Sequence, residues 1–216
     1  MKVLVMLDSF KGSLSSIESG MIVKNVLEKR KTNYEVEVLP IADGGEGTVE
    51  SFVGLSDIEE VKVKVNNPLF ESHIARYAYS KKDNLAIMEM SEASGLTLIK
   101  DRLSPMNAST YGVGEMILDA LDKGASNFII GIGGSATNDG GIGMLSALGY
   151  QFLDKDDKEI NPGIGGVYDL IRIDDSNIDP RLKDAKFNIA CDVDNPLNGT
   201  NGSAHVYGPQ KGATPE

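Results

Sequence analysis

Cysteine and histidine are nearly absent from this sequence. One cysteine, Cys191, among 216 residues can form no internal disulfide, and there is no CxxC pair to hold zinc. The two histidines, His73 and His205, lie far apart, which excludes a histidine-rich metal centre and leaves a Ser-His hydrolase triad few candidates. Long apolar runs are missing too. Met1 to Leu7 is apolar but is followed at once by Asp8, too short for a signal peptide or a membrane span. Positive charge is in deficit, with 21 Lys and Arg against 32 Asp and Glu and a net charge of −11. Such a chain repels phosphate backbones, so no nucleic-acid partner is expected. Together these absences point to a soluble, reducing, cytoplasmic setting with no membrane contact. The Walker A pattern is also missing, as are the H-R-D, D-F-G and A-P-E signatures, so neither a P-loop protein nor a protein kinase is indicated.

What is present is an ordinary globular composition, 41% hydrophobic and 25% charged, long enough to bury a sizeable core. Glycine is in excess, at 24 residues, and gathers in tight clusters that mark special loops. Lys2 to Leu7 reads as a buried strand. Ser15 and Glu18 form a capping box that opens a helix carrying Ile17, Met21, Ile22, Val26 and Leu27. Tyr34 to Leu39 alternates as a half-exposed strand, and Pro40 to Thr48 is a glycine loop followed by a short helix to Phe52. Glu60 to Val65, His73 to Tyr79 and Leu85 to Met90 read as strands. Thr110 to Lys123 reads as a helix ended by Gly124. Asn127 to Ile132 is a buried strand, Gly133 to Gly143 the longest glycine loop, and Met144 to Leu148 a short helix closed by Gly149. Phe187 to Ala190 is a further strand. This alternation predicts an α/β protein with a mostly parallel sheet. A boundary between two α/β domains is expected among the turn residues of 66–83, giving units of 1–75 and 76–216.

Four of the strand-like runs lead into polar loops that carry aspartate: Asp8, Asp43, Asp139 and Asp192. Ligands of open α/β sheets bind outside the carboxyl ends of strands. Glycines there let backbone N–H groups approach phosphates, and carboxylates hold a metal or accept a hydroxyl proton. The set therefore suits ATP with Mg²⁺, and Lys11 adds a positive group. Each residue has an ordinary reading as well. Aspartate initiates turns and caps helices, a lone lysine is usually solvated, the histidines are expected to be structural, and Cys191 is expected to pack as a small hydrophobe. The joint occurrence of the loops favours the chemical reading. Gly131-Ile-Gly133-Gly-Ser-Ala136 also satisfies G-x-G-x-x-A after a strand, with Asp154 about 20 residues on, as in dinucleotide folds. Thr137 to Gly141 lengthens that loop where a helix should already have begun.

Five motifs, in order, carry a resemblance. They are Asp8-Ser-Phe-Lys-Gly-Ser13, Ile41-Ala-Asp-Gly-Gly-Glu-Gly-Thr48, Gly131-Ile-Gly-Gly-Ser-Ala-Thr-Asn-Asp-Gly-Gly141, Cys191-Asp-Val-Asp-Asn-Pro-Leu-Asn-Gly199 and Tyr207-Gly-Pro-Gln-Lys-Gly-Ala-Thr-Pro215. Together they resemble the type 1 glycerate kinase family of bacteria. The resemblance implies two α/β domains with a Rossmann- or flavodoxin-like sheet, an active site in the cleft between them, and transfer of the ATP γ-phosphoryl group to D-glycerate, giving 2-phosphoglycerate. It also implies that the chain stops short of where family members end, so that both domains are incomplete and activity of the fragment alone is reduced. On this reading Asp192, which ends a buried strand beside a turn, is the base or hydroxyl-orienting group. Lys11 and Asp43 join it in catalysis. Asp43 and Glu46 face the metal or the glycerate hydroxyls, with Gly44, Gly45 and Gly47 beside them. Ser9 and Lys11 suit the glycerate carboxylate or the transferred phosphoryl group. Ser135, Asn138 and Asn195 contact substrate or phosphate, and Asp139 with Asp43 holds the metal. A homo-oligomer is left open. The competing readings are a dinucleotide-dependent oxidoreductase and a non-catalytic remnant that binds ligand without turnover.

Overall fold

Apolar spacing along the chain sets most of the elements. The structure, a computed structural model, describes every residue except 11–12, 31–32, 43, 46, 54–56 and 215–216. In chain order the elements are β1 (Lys2–Val5), α1 (Ser16–Lys29), β2 (Glu35–Val38), α2 (Thr48–Phe52), β3 (Glu59–Asn66), β4 (Ser72–Ser80), β5 (Leu85–Glu89), α3 (Ser91–Ser94), α4 (Tyr111–Asp122), β6 (Asn127–Gly131), α5 (Ile142–Ala147), β7 (Gln151–Leu153), β8 (Arg172–Asp174), β9 (Lys186–Ala190) and α6 (Ser203–Tyr207), with short 3₁₀ turns between them. The expected capping box forms: Ser15 accepts from the Glu18 backbone, and the Glu18 side chain accepts from the Ser15 backbone. Gly124 follows α4 with φ +96°, as a C′ glycine should.

The α/β expectation holds. The main sheet runs β3-β4-β5-β6-β9. Its β5-β6-β9 half is parallel, and β3 and β4 extend it antiparallel. β1 and β2 pair parallel in a separate two-stranded sheet, and β7 pairs antiparallel with β8. The junction expected between residues 75 and 76 falls within β4, whose pairing with β3 runs unbroken over Ser72 to Tyr79.

The core lies where α4 covers the main sheet. Tyr77, Met88, Met116, Ile117 and Phe128 are fully buried in it, each contributing about 1.5–3 kcal/mol through removal of apolar surface from water. Two phenols pin the helix across the sheet: Tyr77 donates to Asp119 and Tyr79 to the Lys123 carbonyl, both at 2.6 Å. β6 is covered on both faces, with Phe128 and Ile130 in this core and Ile129 against a second cluster of Val49, Ala78 and Ile87. β1 departs from its expected burial, since Leu4 is 55% exposed and Met6 46%. Met21, Ile22 and Val26 of α1 are exposed as well. The reason is local: among the described residues β1 pairs on one side, with β2, and α1 packs on that pair.

Candidate active site

Parallel pairing brings the carboxyl ends of three strands level. Glu89 of β5 stands opposite Gly131 of β6, which stands opposite Ala190 of β9. The glycine loop after β2 lies directly across these ends. A Cβ on Gly131 would sit 2.2 Å from the Gly44 carbonyl oxygen, and one on Gly133 would sit 2.9 Å from the Gly45 Cα. Gly44 itself has φ +92° and rests against Ala190. Only glycine permits this backbone-on-backbone approach together with that dihedral. The loops after β2, β6 and β9, which carry three of the four expected aspartates, therefore meet at one edge. The loop after β1 joins them through Ser16. Its hydroxyl donates to the Leu7 carbonyl at 2.5 Å and accepts from the Ile41 N–H at 3.1 Å.

Beneath this edge lies Glu89, 3% exposed. Its carboxylate accepts from the Val49 N–H at 2.8 Å and the Ser91 hydroxyl at 3.3 Å, tying α2 to β5. Burial raises its pKa above the ordinary carboxylate value, and these hydrogen bonds offset that only in part. The folded state thus holds the Glu89 proton more tightly than the unfolded chain. The associated stability is fully present below the unfolded pKa, near 4.5, and is lost as pH rises through the folded one. Glu71 and Asp174 are held down to about 2, chiefly by hydrogen bonds from Arg102 and Ser176 respectively, and act in the opposite sense at lower pH. Comparison of wild type with Glu89→Gln isolates the Glu89 contribution. In thermal melts from about pH 4 to about pH 8, the variant is expected to gain on wild type as pH rises. Parallel curves would show that Glu89 does not titrate in this window.

The long loop after β6 is braced from within. Asp139, 2% exposed, accepts from the Thr110 N–H and hydroxyl, both at 2.8 Å, and from the Gly141 and Gly143 N–H groups at 3.1 and 3.2 Å. The Thr110 hydroxyl in turn accepts from the Met144 N–H at 2.9 Å. One carboxylate thereby fixes the entry of α4 and the entry of α5. The role expected for Asp139, metal ligation, does not match this use of its oxygens. Three of the four donors converge on Oδ2, and a cation there would have to displace them.

The other expected residues fall as follows. Asp192 follows β9, exposed. Ser9 is half-buried, with its N–H donated to the exposed Asp8 at 2.7 Å. The Gly45 carbonyl accepts from the Thr48 hydroxyl, and Gly47 precedes α2 with φ +96°. Ser135 accepts from the Thr137 N–H at 3.1 Å. Asn138 lines a cavity of about 570 Å³ between the sheet and α4 and α5, with Ser135, Thr137 and Asp139 at its polar rim. Asn195 is engaged within its own loop, donating to the Asn201 carbonyl and accepting from the Tyr207 hydroxyl at 2.6 Å. Cys191, just past the end of the edge strand β9, is exposed rather than packed as a hydrophobe. Lys11, Asp43 and Glu46 lie outside the described residues. Among the described residues no group of three or more His, Cys, Asp or Glu is arranged to hold a metal ion. Sequence reasoning passed over Glu89, Ser16, Thr110 and Lys211. An acid closing the apolar run Leu85 to Met90 was a usable signal for the first.

The chain as a whole matches known proteins. The model of the glycerate kinase family matches residues 3–216. The chain belongs to that family. Among its curated relatives, the glycerate kinase of Halalkalibacterium halodurans is 46% identical over 208 residues, covering 96% of this chain and 55% of the relative. The glycerate 2-kinase of Escherichia coli K12 is 44% identical over 215 residues, covering 99% and 56% respectively. A crystal structure from Salmonella typhimurium LT2, described as glycerate kinase 2, superposes with a TM-score of 0.89 at 42% identity, covering 100% of this chain and 58% of that one. This glycerate kinase family chain thus spans a little over half the length of the family members it matches.

Proposed function

We propose that this chain forms part of an ATP-dependent kinase that phosphorylates D-glycerate to 2-phosphoglycerate. The observation that carries the reading is the meeting of three glycine- and aspartate-bearing loops over the level ends of β5, β6 and β9. Phosphoryl transfer asks for positioning and charge neutralisation more than for covalent work by the protein. In the proposed arrangement, Asp192 accepts the proton of the glycerate hydroxyl as its oxygen bonds to the γ-phosphorus and ADP leaves. Ser9 and Lys11 hold the glycerate carboxylate or the transferred phosphoryl group, and Glu46 the glycerate hydroxyls, with Gly44, Gly45 and Gly47 beside it in sequence. Ser135 and Asn138 face the phosphates, with Asn195 closing the Asp192 loop. Magnesium would neutralise phosphate charge on entering with ATP. Asp43 remains its proposed ligand, and Asp139, whose carboxylate accepts four hydrogen bonds, is reassigned to bracing.

The proposal keeps two lobes, one around β1, α1 and β2 and one around the main sheet. Their proposed junction moves from residue 75 to the segment before β3, because β4 pairs on both sides. Among the described residues no helix is long and apolar enough to cross a membrane, and a cytoplasmic location is part of the proposal. The dinucleotide reading is not favoured. The helix after Gly131-Ile-Gly133-Gly-Ser-Ala136 starts only at Ile142, well outside the fingerprint.

A coupled assay of ADP release, with and without D-glycerate, tests the function. Glycerate-dependent release that requires magnesium is expected. ATP binding without glycerate-dependent release would leave a non-catalytic remnant, and binding of NAD(H) instead of ATP would favour the oxidoreductase.

A further inference from the structure

Beyond the Tyr207 contact with Asn195, the motif Tyr207 to Pro215 has no part in the arrangement above, yet it returns the chain to the loop after β6. Its 3₁₀ turn, Pro209–Lys211, follows α6. From that turn the Lys211 ammonium donates to the Thr137 carbonyl at 2.5 Å and lies 3.5 Å from the Ser135 hydroxyl. These contacts come from a residue more than 70 positions away in sequence. Lys211 joins none of the ion pairs among the described residues, although the chain carries a net charge of −11. A lysine ammonium has three N–H donors, so at least one remains beyond the loop contacts. The two residues it engages, Ser135 and Thr137, also rim the cavity of about 570 Å³, a size suited to a small organic ligand. The rest of that cavity is largely apolar, with Ile130, Ile132, Phe187 and Ile189 among its walls.

We infer that Lys211 is a phosphate-binding residue: its ammonium group fixes Ser135 and Thr137 and offers its remaining N–H to the polyphosphate of a nucleotide held at the loop after β6. The inference rests on the kinase reading for the identity of the ligand. Its physical basis is a half-buried cation that joins no ion pair among the described residues and is held against two residues that line an open cavity. Such a site is completed by an anion. Burial lowers the Lys211 pKa below the ordinary lysine value, opposed by the nearby charge of Asp139. Asp139 is the charged group facing it from the loop. α6 brings His205 and Tyr207, the latter donated to Asn195. The Leu103 segment that touches Gly212 brings Asp101 and Arg102, the latter paired with Glu71.

Calorimetric titration of inorganic tripolyphosphate and of ATP into the protein tests the inference, with melting temperature recorded alongside. Lys211→Met keeps the apolar stem and removes the charge. Affinity for both ligands is expected to fall about 10–100-fold, the usual effect of losing a charge-assisted hydrogen bond. Wild-type affinity is also expected to decline on the alkaline side from below the ordinary lysine range, and the variant to lack that decline. A merely structural lysine would not produce this pH signature. Unchanged tripolyphosphate affinity in Lys211→Met, or no measurable binding by wild type, overturns the inference. Should Lys211→Met fail to fold, Lys211→Arg takes its place, because arginine stays charged throughout. Identical alkaline profiles for wild type and Lys211→Arg then overturn it. Lys211-dependent tripolyphosphate binding without glycerate-dependent ADP release would overturn the kinase reading and leave the inference standing.

Discussion

Asp192→Asn is expected to slow glycerate-dependent ADP release about 10²–10⁴-fold, the usual contribution of a positioned general base. Asparagine has nearly the size and polarity of aspartate but cannot take up the hydroxyl proton. The side chain is exposed, so the folded state has little to lose, and the melting temperature should stay close to wild type. The residue stands just past Ala190, which is level with Gly131 and touches Gly44. Hydroxyl, phosphoryl group and carboxylate could therefore share one small volume. Near-normal turnover in the variant would reduce Asp192 to a turn residue. A large fall in melting temperature would assign it to structure instead.

For Asp139→Ala the loss is expected in stability, about 3–4 kcal/mol. Four donors would be left without their acceptor, and each buried unsatisfied group costs about 1–3 kcal/mol. The sum is reduced because a buried charge is also removed. For a chain of this length that corresponds to a fall in melting temperature of about 6–16 °C. Both α4 and α5 lose the group that fixes their first turns, so the damage should reach the core helix and not stay in the loop. Melting curves of wild type and variant, followed by circular dichroism, check this. A variant that melts like wild type but fails to release ADP would return Asp139 to metal ligation.

Local features were legible in the sequence. Ser15 and Glu18 announced α1 three residues apart, the alternation of Val61, Val63 and Val65 announced β3, and Gly124 marked the end of α4. These signals act between neighbours, where spacing is set by the chain itself. What escaped the sequence depends on partners far along it. Asp139 looked like an open metal ligand because Thr110 lies 29 positions away. Lys211 sat in a recognised motif without a visible task until the fold placed it against Thr137. β7 and β8 have three residues each, too few to show a period. The apolar run of β1 gave the strand correctly and its burial wrongly, since composition records a need for cover and not whether cover is supplied.

The contact between Gly131 and the Gly44 carbonyl has one more consequence. The two sheets share no strand, yet they meet through main chain on both sides, with no side chain interposed. A joint of that kind has no rotamers to absorb a displacement. The spacing between the loop after β2 and the ends of β6 and β9 is therefore set by bond lengths and van der Waals radii. Core residues elsewhere can be exchanged and repacked without altering it. A movement imposed on one loop by an arriving molecule would meet the other loops first at this contact, where only main-chain torsions can give way.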